Sequence, residues 1–323
     1  MSNRRNFLLV LLFPAVFLFA LIVLSRAEAP FIPKKNLLLI GWDGVQYAHL
    51  KEMLSAGKLP NLSKLIADGS FVKITITDHA TDTKSGWTQI VTGLPAEESG
   101  VFSNKNFRPF PKGSSVFEKL EELSQGVIFT GFVAGKNHNL GSLGPNIKFN
   151  KGGRGRTQSS GFGEPWHFAK GSFDLWFGDL HREADEVGKI LTLMLVQYGQ
   201  HNPFAIFAHF ADPDTAGHKF GENSSQYEQA IIACDEWLGV TIKTLQRLKI
   251  LEKTLIVLTT DHGFDEGQKS HKNAPECFLA VNDKSHRYSD GDMKQIAPTI
   301  LELLEVPGTA VSRSLLCPVV LAN

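Results

Sequence analysis

Leu37-Leu38-Leu39-Ile40-Gly41-Trp42-Asp43-Gly44 is a run of strand length, apolar through Trp42 and ended by an aspartate. A strand with one wet face alternates apolar and polar residues. An unbroken run is what a strand shows when helices cover both of its faces, as in a parallel sheet. In open sheets of that kind ligands bind beyond the carboxyl ends of the strands, which is where Asp43 stands. Working outward, Phe71 to Thr77, Val127 to Val133, Phe204 to Phe210, Leu255 to Thr259 and Cys277 to Val281 are similar continuous or β-branched runs. Between them lie helical patterns: a start at Pro60-Asn61-Leu62, long periodic segments over Glu183 to Tyr198 and Gln226 to Leu248, and an amphipathic stretch from Met293 to Leu304. The expected fold is α/β, a doubly wound and mostly parallel sheet with helices on both faces.

The 323 residues suffice for one large α/β domain, and the equal totals of 33 basic and 33 acidic side chains give no nucleic-acid-binding signal. Cys234, Cys277 and Cys317 are scattered, without CxxC spacing, so buried free thiols are the plain reading and one disulfide an open alternative. Arg4 and Arg5 precede an apolar run from Phe7 to Leu24, broken only by Pro14. That is an export signal: a cleaved signal peptide or, favoured by the length of the run, a hydrophobic helix retained as a membrane anchor. Residues 1–33 are therefore read as signal or anchor plus linker, and 34–323 as the catalytic domain, periplasmic or extracellular. The rhythm of strands and helices weakens between Asn104 and Leu180, where Pro, Gly, Lys and aromatic residues gather around Lys151-Gly152-Gly153-Arg154-Gly155-Arg156. A small cap insertion over 105–180 beside the active site is the expectation.

Four places at strand ends carry candidate chemistry: Asp43, Asp214, Asp261 with His262, and His271. Singly, an aspartate after a strand is commonly a helix cap. Together with His218, four residues after Asp214, they make three carboxylates and three imidazoles, a donor set that suits zinc, with manganese second. That is enough for two ions about 4 Å apart. The segment from Thr81 to Gly93 begins polar and turns helical, so its early hydroxyls sit near a helix N-terminus that attracts phosphate. Spacing alone leaves Thr81, Thr83 and Ser85 open as nucleophile.

Gly41-Trp42-Asp43-Gly44, Val91-Thr92-Gly93, the run Ala211-Asp212-Pro213-Asp214-Thr215-Ala216-Gly217-His218, Thr260-Asp261-His262-Gly263 and His271-Lys272-Asn273-Ala274-Pro275 occur in an order that resembles the alkaline phosphatase superfamily. The resemblance extends over nearly all residues after Lys35 and is strongest to the nucleotide pyrophosphatase/phosphodiesterase and cofactor-independent phosphoglycerate mutase branches. Leu59-Pro60-Asn61-Leu62 and Ile296-Ala297-Pro298-Thr299-Ile300-Leu301 support it. The resemblance implies one ion on Asp214, His218 and His271 and another on Asp43, Asp261 and His262, with Thr83, counted back from Val91-Thr92-Gly93, as bridging nucleophile. It implies Asn104 as a donor to a phosphoryl oxygen. A threonine there speaks against a sulfatase, whose C/S-x-P-x-R motif is absent.

The implied reaction is hydrolysis of a phosphate ester on a small molecule or headgroup through a phosphothreonine, as a phosphodiesterase or pyrophosphatase. A phosphomonoesterase, a membrane phosphoryl or phosphoethanolamine transferase, and a non-catalytic binding protein are the alternatives. Lys136-Asn137-His138 loosely resembles the K-x-R element of threonine-dependent monoesterases, with His138 in place of arginine, which makes Lys136 a candidate substrate contact. For Lys84 and Lys136 alike, a solvated loop position is the plainer expectation. His209 and Asp212 flank a metal motif and could orient ligands. Asp265, His49, His138 and His286 belong to no constellation and are expected at the surface or in the core.

Overall fold

The computed structural model describes residues 29–136, 140–145, 161–201, 203–308 and 314–317. The apolar run at 7–24, His138 and the Lys151 to Arg156 run lie outside them. Among the described residues no helix is long and apolar enough to cross a membrane.

In chain order the first half comprises β1 (Asn36–Trp42), α1 (Tyr47–Ser55), α2 (Pro60–Ala67), β2 (Ser70–Thr75), α3 (Thr83–Thr92), α4 (Ala96–Ser99), α5 (Val116–Ser124), β3 (Phe129–Ala134) and β4 (Leu175–Phe177). The second half comprises α6 (Ala184–Tyr198), β5 (Phe204–Phe210), α7 (Asp212–Phe220), α8 (Ser225–Arg247), β6 (Thr254–Thr259), β7 (Glu276–Val281), β8 (Gly291–Asp292) and α9 (Ile296–Leu303). The eight strands among the described residues form one sheet in the order β4-β3-β5-β1-β6-β7-β2-β8. Pairing is parallel throughout except at β7, which runs against β6 and β2.

β1 shows why the fold is doubly wound. Side chains alternate across a strand, and Leu37 and Leu39 join Trp87, Ile90, Val116, Phe117 and Ile300, from α3, α5 and α9, in one core. Leu38 and Ile40 join Leu50, Leu62, Leu191, Ile231 and Leu238, from α1, α2, α6 and α8, in the other. With both faces covered, an apolar residue is needed at every position.

Gly41 breaks the run for a packing reason: a Cβ built there would lie 2.3 Å from the Trp87 ring. Gly41→Ala is therefore expected to destabilise the fold by about 1–3 kcal/mol through overpacking. Urea unfolding checks this, and an unchanged midpoint would mean that Trp87 can move aside.

β7 departs from the parallel pattern, yet its reversal serves the same end of the sheet. Because β7 returns alongside β6, their long connection, 260–275, stays at the carboxyl end of β6 with Asp261, His262 and His271 upon it. Within the 105–180 stretch, β3 and β4 belong to the sheet and α5 to a helical layer. Helix α5 starts at a capping box in which Ser115 and Glu118 each receive the other's backbone N–H. Residues 293–295, expected as helix, form a 3-10 turn ahead of α9.

Candidate active site

β3, β5, β1 and β6 are consecutive in the sheet and parallel, so their carboxyl ends open side by side. Their extensions deliver Lys136 after β3, Asp214 on α7 after β5, Asp43 after β1, and Asp261 with His262 after β6. Against these ends stands the first turn of α3, which begins at Thr83 and is buried over all of its residues. Its close approach depends on Gly86, where a Cβ would come within 2.4 Å of the Asp261 carbonyl oxygen.

The described side chains bring together two groups able to hold an ion, Asp214 with His218 and His271, and Asp43 with Asp214 and His262. The first is the set expected from sequence. In the second, Asp214 stands where Asp261 was expected. Lys136 lies between the two carboxylates, with its Nζ 2.7 Å from Asp43 Oδ1 and 2.6 Å from Asp214 Oδ2. Asp261 Oδ2 is 3.5 Å from His262 Nε2, and Asp261 Oδ1 accepts the Gly44 N–H at 3.2 Å.

Two features of this cluster fit a cation. The first is tautomeric. His218, His262 and His271 direct Nδ1 at the carbonyl oxygens of Lys269 (2.9 Å), Gly263 (2.9 Å) and Thr81 (2.5 Å). Donation from Nδ1 leaves each Nε2 lone pair facing the cluster, the arrangement of ligating histidines. The second is that the buried oxygens Asp214 Oδ1 and Asp261 Oδ2 have no hydrogen-bond partner, a costly condition that an ion would relieve.

Electrostatics agree. Burial, reinforced by the charge of Asp43, holds the Asp261 carboxyl well above the usual range. Burial is the largest influence and opposes ionisation of Asp43 and Asp214, but Lys136 together with His209 at Asp43, and with His218 and His262 at Asp214, outweighs it and keeps both below their ordinary values. Lys136 itself would be lowered by burial, and Asp214, Asp43 and Asp261 raise it instead. Burial and the neighbouring His262 hold His271 down to about 4, so its imidazole is neutral near pH 7. Three buried carboxylates thus face one ammonium.

Of the three hydroxyls left open by spacing, Thr83 alone faces the cluster. Its Oγ1 lies 3.5 Å from His262 Nε2 and 3.3 Å from Lys136 Nζ. Thr81 Oγ1 donates to the His271 carbonyl, and Ser85 Oγ donates to those of Ala80 and Asp82. Asn104 sits at the same helix start: its Oδ1 accepts the Lys84 N–H at 2.9 Å, and its own N–H donates to Asp82 Oδ2 at 2.8 Å. That geometry uses the oxygen of its amide and leaves the NH2 as the donor.

Neither lysine is a solvated loop residue. Lys136 is 6% exposed, and Lys84 is buried, ion-paired with Glu164 and 4.1 Å above the Phe107 ring. His209 Nε2 contacts Asp43 Oδ2 at 2.8 Å, whereas Asp212 Oδ1 accepts the Ala184 N–H at the start of α6. His286 pairs with Asp283 at 2.9 Å, apart from the cluster. Glu164 and Glu222, both fully buried, were missed in the sequence because each lies in a stretch with no periodic pattern.

This architecture is shared with alkaline phosphatase from the Antarctic bacterium TAB5, which aligns with a TM-score of 0.56 at 15% identity over 85% of this chain and 99% of that one. The fold is therefore that of alkaline phosphatase. The family model for type I phosphodiesterase / nucleotide pyrophosphatase matches residues 37–313, and the chain belongs to that family. Human ectonucleotide pyrophosphatase/phosphodiesterase family member 5 is 24% identical over 281 residues, 84% of this chain and 53% of that protein. The chain thus spans about half the length of that relative. The murine ectonucleotide pyrophosphatase / phosphodiesterase 5, solved as an inactive form in complex with AMP, aligns with a TM-score of 0.56 at 14% identity over 88% of this chain and 100% of that one.

Proposed function

We propose that this chain is a phosphoric ester hydrolase, a phosphodiesterase or pyrophosphatase acting through a phosphothreonine at Thr83. The observation that carries the reading is the isolation of the Thr83 hydroxyl, at the first residue of α3, against the Asp/His cluster. Divalent ions, zinc by the Asp/His donor set and manganese second, would be held by Asp214, His218 and His271 and by Asp43, Asp261 and His262, with Thr83 between. Bound there, they would favour the ionised form of the threonine and offset phosphate charge.

The chain's own residues supply the rest. The Thr83 oxygen attacks phosphorus in line and the bond to the leaving oxygen breaks; water then attacks the same phosphorus and releases the threonine. Two displacements retain configuration at phosphorus. Asn104 Nδ2 donates to a nonbridging oxygen, and the positive dipole end of α3 favours the anion. The substrate class is a phosphate ester on a small molecule or headgroup, in keeping with the AMP bound by the murine relative. Residues 140–145 and 161–173, within the expected cap, are taken to shape its pocket. An apolar N-terminal run behind two arginines supports export of the domain, on an anchor or after cleavage.

Phosphomonoesterase activity is the second reading, and Lys136 favours it. A buried ammonium 3.3 Å from the Thr83 oxygen suits the extra negative charge of a terminal phosphate.

Purified protein lacking residues 1–33 is expected to hydrolyse an aryl phosphodiester, to lose that turnover on dialysis against a chelator, and to regain it with zinc. Faster turnover of the matching aryl monoester would select the second reading. Hydrolysis unaffected by chelation would sink both.

A further inference from the structure

We infer that Glu222, with His49, is a positioning residue for the ion site of Asp214, His218 and His271, setting the distance between the two chain segments that carry those ligands. The inference rests on the reading that these three residues hold a cation.

Asp214 and His218 lie on α7, while His271 lies on the connection 260–275. The connection is folded upon Asp265, which sequence reading left without a role. Asp265 carboxylate oxygens accept the Asn273 N–H at 2.8 Å, the Lys272 N–H at 3.1 Å and the Ser270 hydroxyl at 2.8 Å. A unit so tied moves as one piece, and His271 moves with it.

Glu222, just beyond the end of α7, docks that unit. Its backbone N–H donates to the Gln268 carbonyl at 2.9 Å, and its Oε2 accepts the Gly267 N–H at 2.9 Å. Its Oε1 meets His49 Nδ1 from α1. Both oxygens are used, and the residue is fully buried. A buried carboxylate is costly unless neutralised and hydrogen-bonded. His49, 7% exposed, is its partner: burial alone would lower the pKa of the imidazole, but Glu222 and then Glu228 raise it. Glu222 therefore joins α1, the end of α7 and the His271 connection at one point, four residues along the chain from His218.

Competition with a chromophoric chelator reads the zinc dissociation constants of the full chain and its variants. Glu222→Ala is expected to weaken one of two zinc sites by about 10- to 100-fold and leave the other unchanged. Glu222→Gln, which still accepts the Gly267 N–H, is expected to stay within a few-fold of the parent. Should Glu222→Ala not fold, Glu222→Met with His49→Leu removes the pair as a unit and should show the same selective loss. Unchanged constants, or equal weakening of both sites alongside a lower Tm, would overturn this inference alone. If His218→Ala leaves the zinc stoichiometry and both constants of the parent unaltered, the ion-site reading fails and takes this inference with it.

Discussion

Thr83→Ala is expected to lower turnover of a phosphoric ester by at least about 10³-fold while leaving zinc content and Tm close to those of the parent. The reason is that the threonine oxygen forms the first bond to phosphorus, and nothing nearby can replace it. The Thr81 and Ser85 hydroxyls already donate to backbone carbonyls on other sides of the turn. The residue is 1% exposed, and its loss opens a space no larger than two heavy atoms at a helix start, so folding should survive. Thr83→Ser, which keeps the oxygen, should retain measurable activity. Steady-state kinetics with quenched samples probed for phosphothreonine decide the matter. A Thr83→Ala enzyme within tenfold of the parent, or label recovered on another residue, would remove Thr83 from the mechanism.

Lys136→Met carries the largest expected effect on stability, and only in the ion-free protein. The ammonium bridges Asp43 and Asp214 at 2.7 and 2.6 Å and is the one cation beside three buried carboxylates among the described side chains of the cluster. Removing one partner from a buried ionic network typically costs about 3–5 kcal/mol, since the remaining charges stay desolvated. In chelator the variant should therefore melt on the order of 10 °C below the parent. Zinc reverses the order of effects: ions supply the missing positive charge, so the variant should gain more Tm from added zinc than the parent gains. Paired thermal melts with chelator and with zinc test this. Equal Tm values in chelator would mean that the carboxylates take up protons at no cost, with Asp261, already held high by burial, as the first to do so.

The long strands and helices could be read from the chain because each carries its own pattern. β1, β5 and β6 are continuous apolar runs, and α6 and α8 repeat their apolar residues at helical spacing, so their limits agree with expectation to within a few residues. β4 and β8 are three and two residues long, too short to hold any period. The direction of β7 was hidden for a different reason: a buried strand has the same composition whichever way it runs. For the candidate site, the resemblance supplied Asp43, Thr83, Asp214, His218, Asp261, His262 and His271 as a set. The burial of Lys136 and Lys84, and the partners that make it tolerable, depend on segments far away in the chain, with Lys84 meeting Glu164 and Lys136 meeting Asp43 and Asp214.

By itself, then, the sequence determined the α/β class, the positions of the long strands and the residues that gather at their carboxyl ends, because local pattern and strand-end polarity are written along the chain. Spacing left Thr81, Thr83 and Ser85 open and the resemblance implied Thr83; the tertiary structure decided that the Thr83 hydroxyl faces the Asp/His cluster and that Lys136 sits inside it. It also decided that Glu222 meets His49 and the connection that carries His271. Those facts are set by which side chain faces which across a helix start and four strand ends, and a spacing along the chain does not contain them.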